Sequence, residues 1–215
     1  MLGAHFSVAV GESLRVLCLG AHADDIEIGA GGTILRLLGE YPATVVEWVV
    51  LSAEGERAEE AESSAGRFLV DAKEYHVRIE ACRENFFPYD GAAVKELVAD
   101  VGSSANFDIV ICPRRKDLHQ DHRLLGELAL NTFRDHLILE YEIPKYDADL
   151  SSPNLYVPLD PVVTERKVEL IVDGFPSQRH KPWFDAETFR GLMRLRGVEC
   201  NERFAEGFHV HKLVL

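Results

Sequence analysis

Two short stretches hold most of the residues able to do chemistry. "GAHADDIEIGAGGT", residues 20–33, places His22, Asp24 and Asp25 directly behind an apolar run. "RRKDLHQDHR", residues 114–123, places His119, Asp121 and His122 behind another. His22 and Asp25 are three apart, as are His119 and His122. In a helix start or tight turn that spacing can aim both side chains at one centre. Imidazole and carboxylate are competent zinc ligands, and a catalytic zinc keeps three protein ligands and an open position for water. Two ligands from the first stretch and one from the second complete that count, leaving Asp24 free to act as a base toward the water. Each stretch alone also has a plainer reading. Asp24 and Asp25 can cap a helix N-terminus, and the histidine pair can be solvated helix polarity. Spacing alone leaves the two readings in balance.

The elements around these residues favour convergence. "LRVLCLG" (14–20), "TVVEWVVLSA" (44–53), "KEYHVRI" (73–79) and "FDIVICP" (107–113) are short, rich in Val and Ile, and bounded by turn formers, which predicts strands. Amphipathic stretches at 27–39, 57–71, 90–102 and 120–135 predict helices between and after them. In the second of these, Ala58, Ala61, Ala65, Phe68 and Leu69 recur at helical spacing. Strand–helix alternation predicts an α/β fold, a Rossmann-like, mostly parallel sheet with helices on both faces. In the last third, 136–144 reads as a strand and 160–174 as a helix, with Asp160 as N-cap, Pro161 at its first position and Gly174 just past its end. A helix over 183–196 and a closing strand in "AEGFHVHKLVL" complete this C-terminal extension of the same domain, so residues 1–215 are expected to form one unit. Both polar stretches follow strand ends, and open α/β sheets bind ligands beyond the carboxyl ends of their strands.

Bulk properties narrow the partners. A chain of 215 residues can bury a full core, and 47% hydrophobic with 27% charged residues is ordinary for a soluble protein. The net charge of −13 disfavours nucleic acid. No apolar run is long enough to span a membrane, and the N-terminus lacks a secretory pattern. Four cysteines without CxxC spacing read as reduced, consistent with a cytoplasmic location.

The motifs resemble one family, the LmbE-like or PIG-L N-acetylglucosaminyl deacetylases. Their A-H-P-D-D with a glycine-rich helix start, and a later H-P-D-H, are matched by "AHADDIEIGAGGT" and "HQDHR". Arg57 and Glu60 match an R-x-x-E helix, "FFPYDG" a loop ending in Asp90, and Arg196, Gly197, Ala205, Glu206 and Phe208 the closing elements. Ala23 and Gln120 stand where the family has proline, which removes rigidity but no functional atom. The resemblance implies His22, Asp25 and His122 as ligands of a divalent metal, zinc most often, with iron(II) or another divalent ion as substitute. It implies Asp24 as general base and a protonated His119 acting on the oxyanion. Asp121 is expected to hold His119 charged or to orient His122. Arg57 is expected at the exit of the second strand, gripping substrate hydroxyls or a phosphate, or else paired with Glu60. Asp90 is expected to bind sugar hydroxyls or to cap a loop.

The implied reaction is removal of an acetyl group from an N-acetyl amino sugar or its conjugate, with another amide or acyl conjugate as the alternative substrate. The partner is then a small acetylated molecule, and a homo-oligomer is expected from the family's habit. A nucleotide-binding module is disfavoured because the loop has no GxGxxG and its paired carboxylates would repel a pyrophosphate. A metal-free binding protein is disfavoured because every polar position of both motifs is occupied. Cys18 and Cys112 lack a neighbouring base, which argues against a thiol nucleophile. Segment 142–182 reads as irregular and is expected to shape specificity, with Arg179, Lys181 and Trp183 lining a pocket or, equally, a subunit interface.

Overall fold

Four strand–helix units open the chain: β1 (Arg15–His22) with α1 (Asp25–Glu40), β2 (Val45–Ser52) with α2 (Glu56–Phe68), β3 (Glu74–Ile79) with α3 (Gly91–Ser104), and β4 (Ile109–Pro113) with α4 (Gln120–Thr132). β5 (Leu137–Tyr141), β6 (Leu155–Leu159), α5 (Pro161–Gly174), α6 (Ala186–Cys200) and β7 (Phe204–Val210) follow. The computed structural model describes residues 12–214 together with Gly3, Phe6 and Val8. The stretch before residue 12, where no secretory leader is expected, lies largely outside the described residues, as does Leu215. Among the described residues no helix is long and apolar enough to cross a membrane.

The strands form one seven-stranded sheet in the order β3-β2-β1-β4-β5-β7-β6. β3, β2, β1, β4 and β5 run parallel, while β7 is antiparallel to both β5 and β6. β1, β2 and β4 are apolar on both faces because both faces are covered. Val16 and Cys18 join the core beneath α1, α2, α5 and α6, and Leu17 and Leu19 join the core beneath α3 and α4. The strand order reverses between β1 and β4, and both polar stretches leave the sheet there.

The extension differs in detail from expectation. β6 falls inside the segment read as irregular, α6 starts and ends later than predicted, and the closing strand stops at Val210. Asp160 caps α5 by accepting from the Val162 amide at 2.7 Å. Gly174 is the last residue of α5, and Phe175 follows as its cap.

α1 is held from the far end of the chain. The Glu206 carboxylate on β7 accepts from the backbone N–H groups of Gly32 (2.8 Å) and Thr33 (2.7 Å). Lys167 of α5 donates to Glu206 at 2.6 Å and to the Ile28 carbonyl at 2.7 Å. All this is buried, so the ion pair grips the helix in a low-dielectric setting. Gly29 lets α1 approach β5 closely: a Cβ there would lie 2.3 Å from the Tyr141 ring.

Candidate metal centre

β1 ends at His22, and the chain turns through Ala23 and Asp24 into α1. Asp24 occupies the N-cap position yet makes no side-chain cap hydrogen bond. Asp25 turns back instead, its Oδ2 accepting from the His22 amide at 2.8 Å. Neither aspartate therefore acts as a helix cap. From β4, residues 114–119 lead into α4, whose first turn carries His122.

Three atoms converge between the two loops. His22 Nδ1 lies 3.1 Å from His122 Nε2 and 3.6 Å from Asp25 Oδ2, and His122 Nε2 lies 3.2 Å from Asp25 Oδ2. His119 joins the cluster more loosely, with one ring nitrogen from each of His22, His119 and His122 inside 4.8 Å. The outer nitrogens of the tight pair face carboxylates. His22 Nε2 is 3.1 Å from Asp121 Oδ2, and His122 Nδ1 is 3.2 Å from Asp117 Oδ2. An ionised carboxylate only accepts, so each imidazole carries its hydrogen on that outer side. The inner nitrogens then present lone pairs to each other and to Asp25. Such a set repels itself unless a cation sits among it. Neighbouring ligand atoms on a tetrahedral zinc are about 3.3–3.4 Å apart at ordinary bond lengths, which fits the observed triangle.

The electrostatics point the same way. Burial alone would pull the Asp25 carboxyl up, but His122 and His22 outweigh it and hold it well below the usual range. Burial would lower His122, yet Asp25 and then Asp117 raise it to about 10. Asp117 is likewise held low against its burial by His122 and Lys145.

The Asp121 side chain bonds His22 rather than His119 or His122. Besides facing His22, it accepts from the amides of Asn85 (2.6 Å) and Phe87 (3.1 Å), so the loop after β3 positions it. The reason is geometric: at the second position of α4, its side chain points back under that loop. His119 Nδ1 accepts from the Asp121 amide at 3.3 Å, capping α4, and leaves Nε2 toward the site. Burial, then His122 and His22, push its pKa below the ordinary histidine value.

Asp24, Asp25, His22, His119 and His122 line one concavity of about 770 Å³, with Arg57, Lys145, Lys181 and Trp183 around them. Arg57 sits in the first turn of α2, past the strand exit, where Gly55 at φ +54° turns the chain. Its guanidinium lies 3.2 Å from both Asp24 Oδ1 and Glu60 Oε2. Asp90 is not gathered in: it is exposed at the start of α3 and makes no side-chain cap bond. Arg179 pairs with Asp173 at 3.7 Å, away from the concavity. Cys18 and Cys112 are buried, and burial pushes both thiols up. Asp117 and Lys145 were missed in the sequence. A carboxylate two residues before His119 was a signal for the first. The second had none.

Residues 17–133 match the PIG-L family, described as GlcNAc-PI de-N-acetylase. No curated protein matches the chain. Among solved structures, the N,N'-diacetylchitobiose deacetylase of Pyrococcus horikoshii is 22% identical with a TM-score of 0.71, covering 91% of this chain and 83% of that one. GalB of Pseudomonas putida KT2440, a 4-carboxy-2-hydroxymuconate hydratase, is 18% identical with a TM-score of 0.73, covering 94% and 98%. A teicoplanin deacetylase, solved in a zinc-inhibited form, is 12% identical with a TM-score of 0.69, covering 91% and 97%. At these identities the likeness is one of fold, which here hosts both deacetylases and a hydratase. The family match spans more than half of the sequence, and the chain belongs to the PIG-L de-N-acetylase family.

Proposed function

We propose that the protein is a metal-dependent hydrolase that removes an acetyl group from an N-acetylated amino sugar or its conjugate. The observation that carries the reading is the triangle of His22 Nδ1, Asp25 Oδ2 and His122 Nε2, set beside Asp24 in an open concavity. These three would hold a divalent metal, zinc or iron(II), with Asp121 and Asp117 fixing the two imidazoles. When bound, the metal supplies an acidified water and polarises the acetyl oxygen.

The chain's residues do the rest. Asp24 takes the proton released as water attacks the acetyl carbon, then returns it to the departing amine. His119, with Nδ1 accepting from the Asp121 amide, donates Nε2–H to the developing oxyanion. Losing such a donor costs about 10²–10³-fold in turnover. The concavity is roomy for an acetamido sugar, which favours a conjugate. The rim contains Trp183, whose ring suits a sugar face, and Lys181, which suits a polar or anionic extension.

The test combines metal analysis with an amine-release screen over N-acetylglucosamine and its nucleotide, lipid and natural-product conjugates. About one metal per chain is expected, lost in His22→Ala and His122→Ala. Asp24→Ala is expected to keep the metal and lose turnover. Absence of metal binding after reconstitution, or full activity in Asp24→Ala, would refute the reading.

A further inference from the structure

Asp24 is held by a chain of contacts that begins outside the family-matched residues. The turn after α5 is a 3-10 turn, Pro176–Gln178. Its Ser177 donates twice to Glu60 of α2, from the amide to Oε1 at 2.8 Å and from Oγ to Oε2 at 2.6 Å. Glu60, with a side chain only 7% exposed, in turn accepts from Arg57 Nη1 at 3.2 Å. The Arg57 guanidinium lies over the buried Phe175 ring, 5.3 Å from its centroid, and presents Nη2 to Asp24 Oδ1 at 3.2 Å.

A planar fork fixed by a carboxylate at one tip and an aromatic face beneath has one orientation available to it. Nη1 donates to Glu60, and Nη2 faces Asp24 as an ion pair. We propose that Arg57 is the positioning residue of Asp24, oriented by Glu60, Ser177 and Phe175. It ties down Oδ1 so that Oδ2 is left to exchange the proton. The 175–178 turn, from the least regular part of the sequence, thereby sets the geometry of the base. This rests on the deacetylase reading for its consequence in turnover, but its geometric content stands apart.

The experiment compares metal-loaded wild type with Arg57→Met, Arg57→Lys and Ser177→Ala on two probes. One is N,N'-diacetylchitobiose. The other is p-nitrophenyl acetate, which has no sugar hydroxyl or phosphate to grip. For Arg57→Met, kcat is expected to fall about 10–100-fold on both probes, with KM within about twofold and bound metal unchanged, as for a misplaced catalytic group. Arg57→Lys should recover part of the loss, since it can pair with Asp24 but cannot bridge to Glu60. Ser177→Ala should move kcat in the same direction by a smaller factor. A raised KM on the sugar with kcat and ester hydrolysis intact would assign Arg57 to substrate and overturn the proposal. Crystals of metal-loaded Arg57→Met give a readout that needs no turnover: the Asp24 carboxylate is expected to leave its position. If it stays, the proposal fails whatever the kinetics. If wild type hydrolyses neither probe nor any acetylated sugar, the functional reading fails and the crystals alone decide this one.

Discussion

Replacing Asp121 by asparagine tests the pairing of carboxylates with imidazoles. The side chain is fully buried and all its contacts are to donors: His22 Nε2 and Asn85 N at Oδ2, Phe87 N at Oδ1. Asparagine keeps the shape but offers one acceptor oxygen and one NH₂. With NH₂ at the Oδ1 site it confronts the Phe87 N–H. With NH₂ at the Oδ2 site it confronts both Asn85 N–H and His22. The first arrangement is the milder, and it leaves one buried donor unsatisfied at a cost of about 1–3 kcal/mol. For a chain of this size that corresponds to a Tm loss of roughly 2–12 °C. His22 also exchanges a charge-assisted bond for a neutral one, and outer-sphere losses of this kind cost about 10–100-fold in metal affinity. Chelator competition measures the affinity, and melting with and without metal separates it from stability, since the metal-induced rise in Tm must shrink. Asp117→Asn acts on the other imidazole, and because the two rings belong to one cluster the double variant is expected to depart from the product of the two losses. Affinity within twofold of wild type in Asp121→Asn would refute the assignment of Asp121 to His22.

Two further outcomes concern the frame that carries the site. Glu206→Leu strands the Lys167 ammonium in the core and should cost about 3–5 kcal/mol in urea unfolding, while Glu206→Leu with Lys167→Met should recover most of it. Equal losses in the single and double variants would contradict a coupled pair. Gly29→Ala pushes a methyl into Tyr141, which cannot yield because its hydroxyl is tied to the Leu19 carbonyl at 2.9 Å. A loss of about 1–3 kcal/mol is expected in thermal or urea unfolding, and metal affinity should weaken as α1 shifts.

The four strand–helix units could be read from the sequence because β1, β2 and β4 are buried on both faces and announce themselves as largely apolar runs. β6 could not. "LYVPL" is five residues long, half-buried, and carries Pro158, and it is a strand because β7 passes beside it. The site divides in the same manner. Both polar stretches could be singled out by residue type and by their place behind strands, and the choice of His22, Asp25 and His122 as ligands came from the family resemblance. Which imidazole Asp121 faces, and the part played by Asp117, could not be read, because Asp121 is aimed by the amides of Asn85 and Phe87 and Asp117 is held by Lys145. Such long-range packing leaves no periodicity. Arg57 shows the limit from another side: the sequence offered Glu60 as its neighbour, three residues on, but gave no hint of Asp24, Phe175 or Ser177.

The grip of Glu206 on α1 has a consequence for how the molecule comes into being. Its bonds to Gly32 and Thr33 join residues 174 and 173 positions apart. During synthesis the helix bearing Asp25 is made well before its partner on β7. Contacts of such sequence separation form slowly, because the intervening chain must be ordered first. The early-made half can build its parallel strands, yet α1 is not locked against the sheet until β7 threads between β5 and β6. The position of Asp25 is thus set only once β7 has joined the sheet.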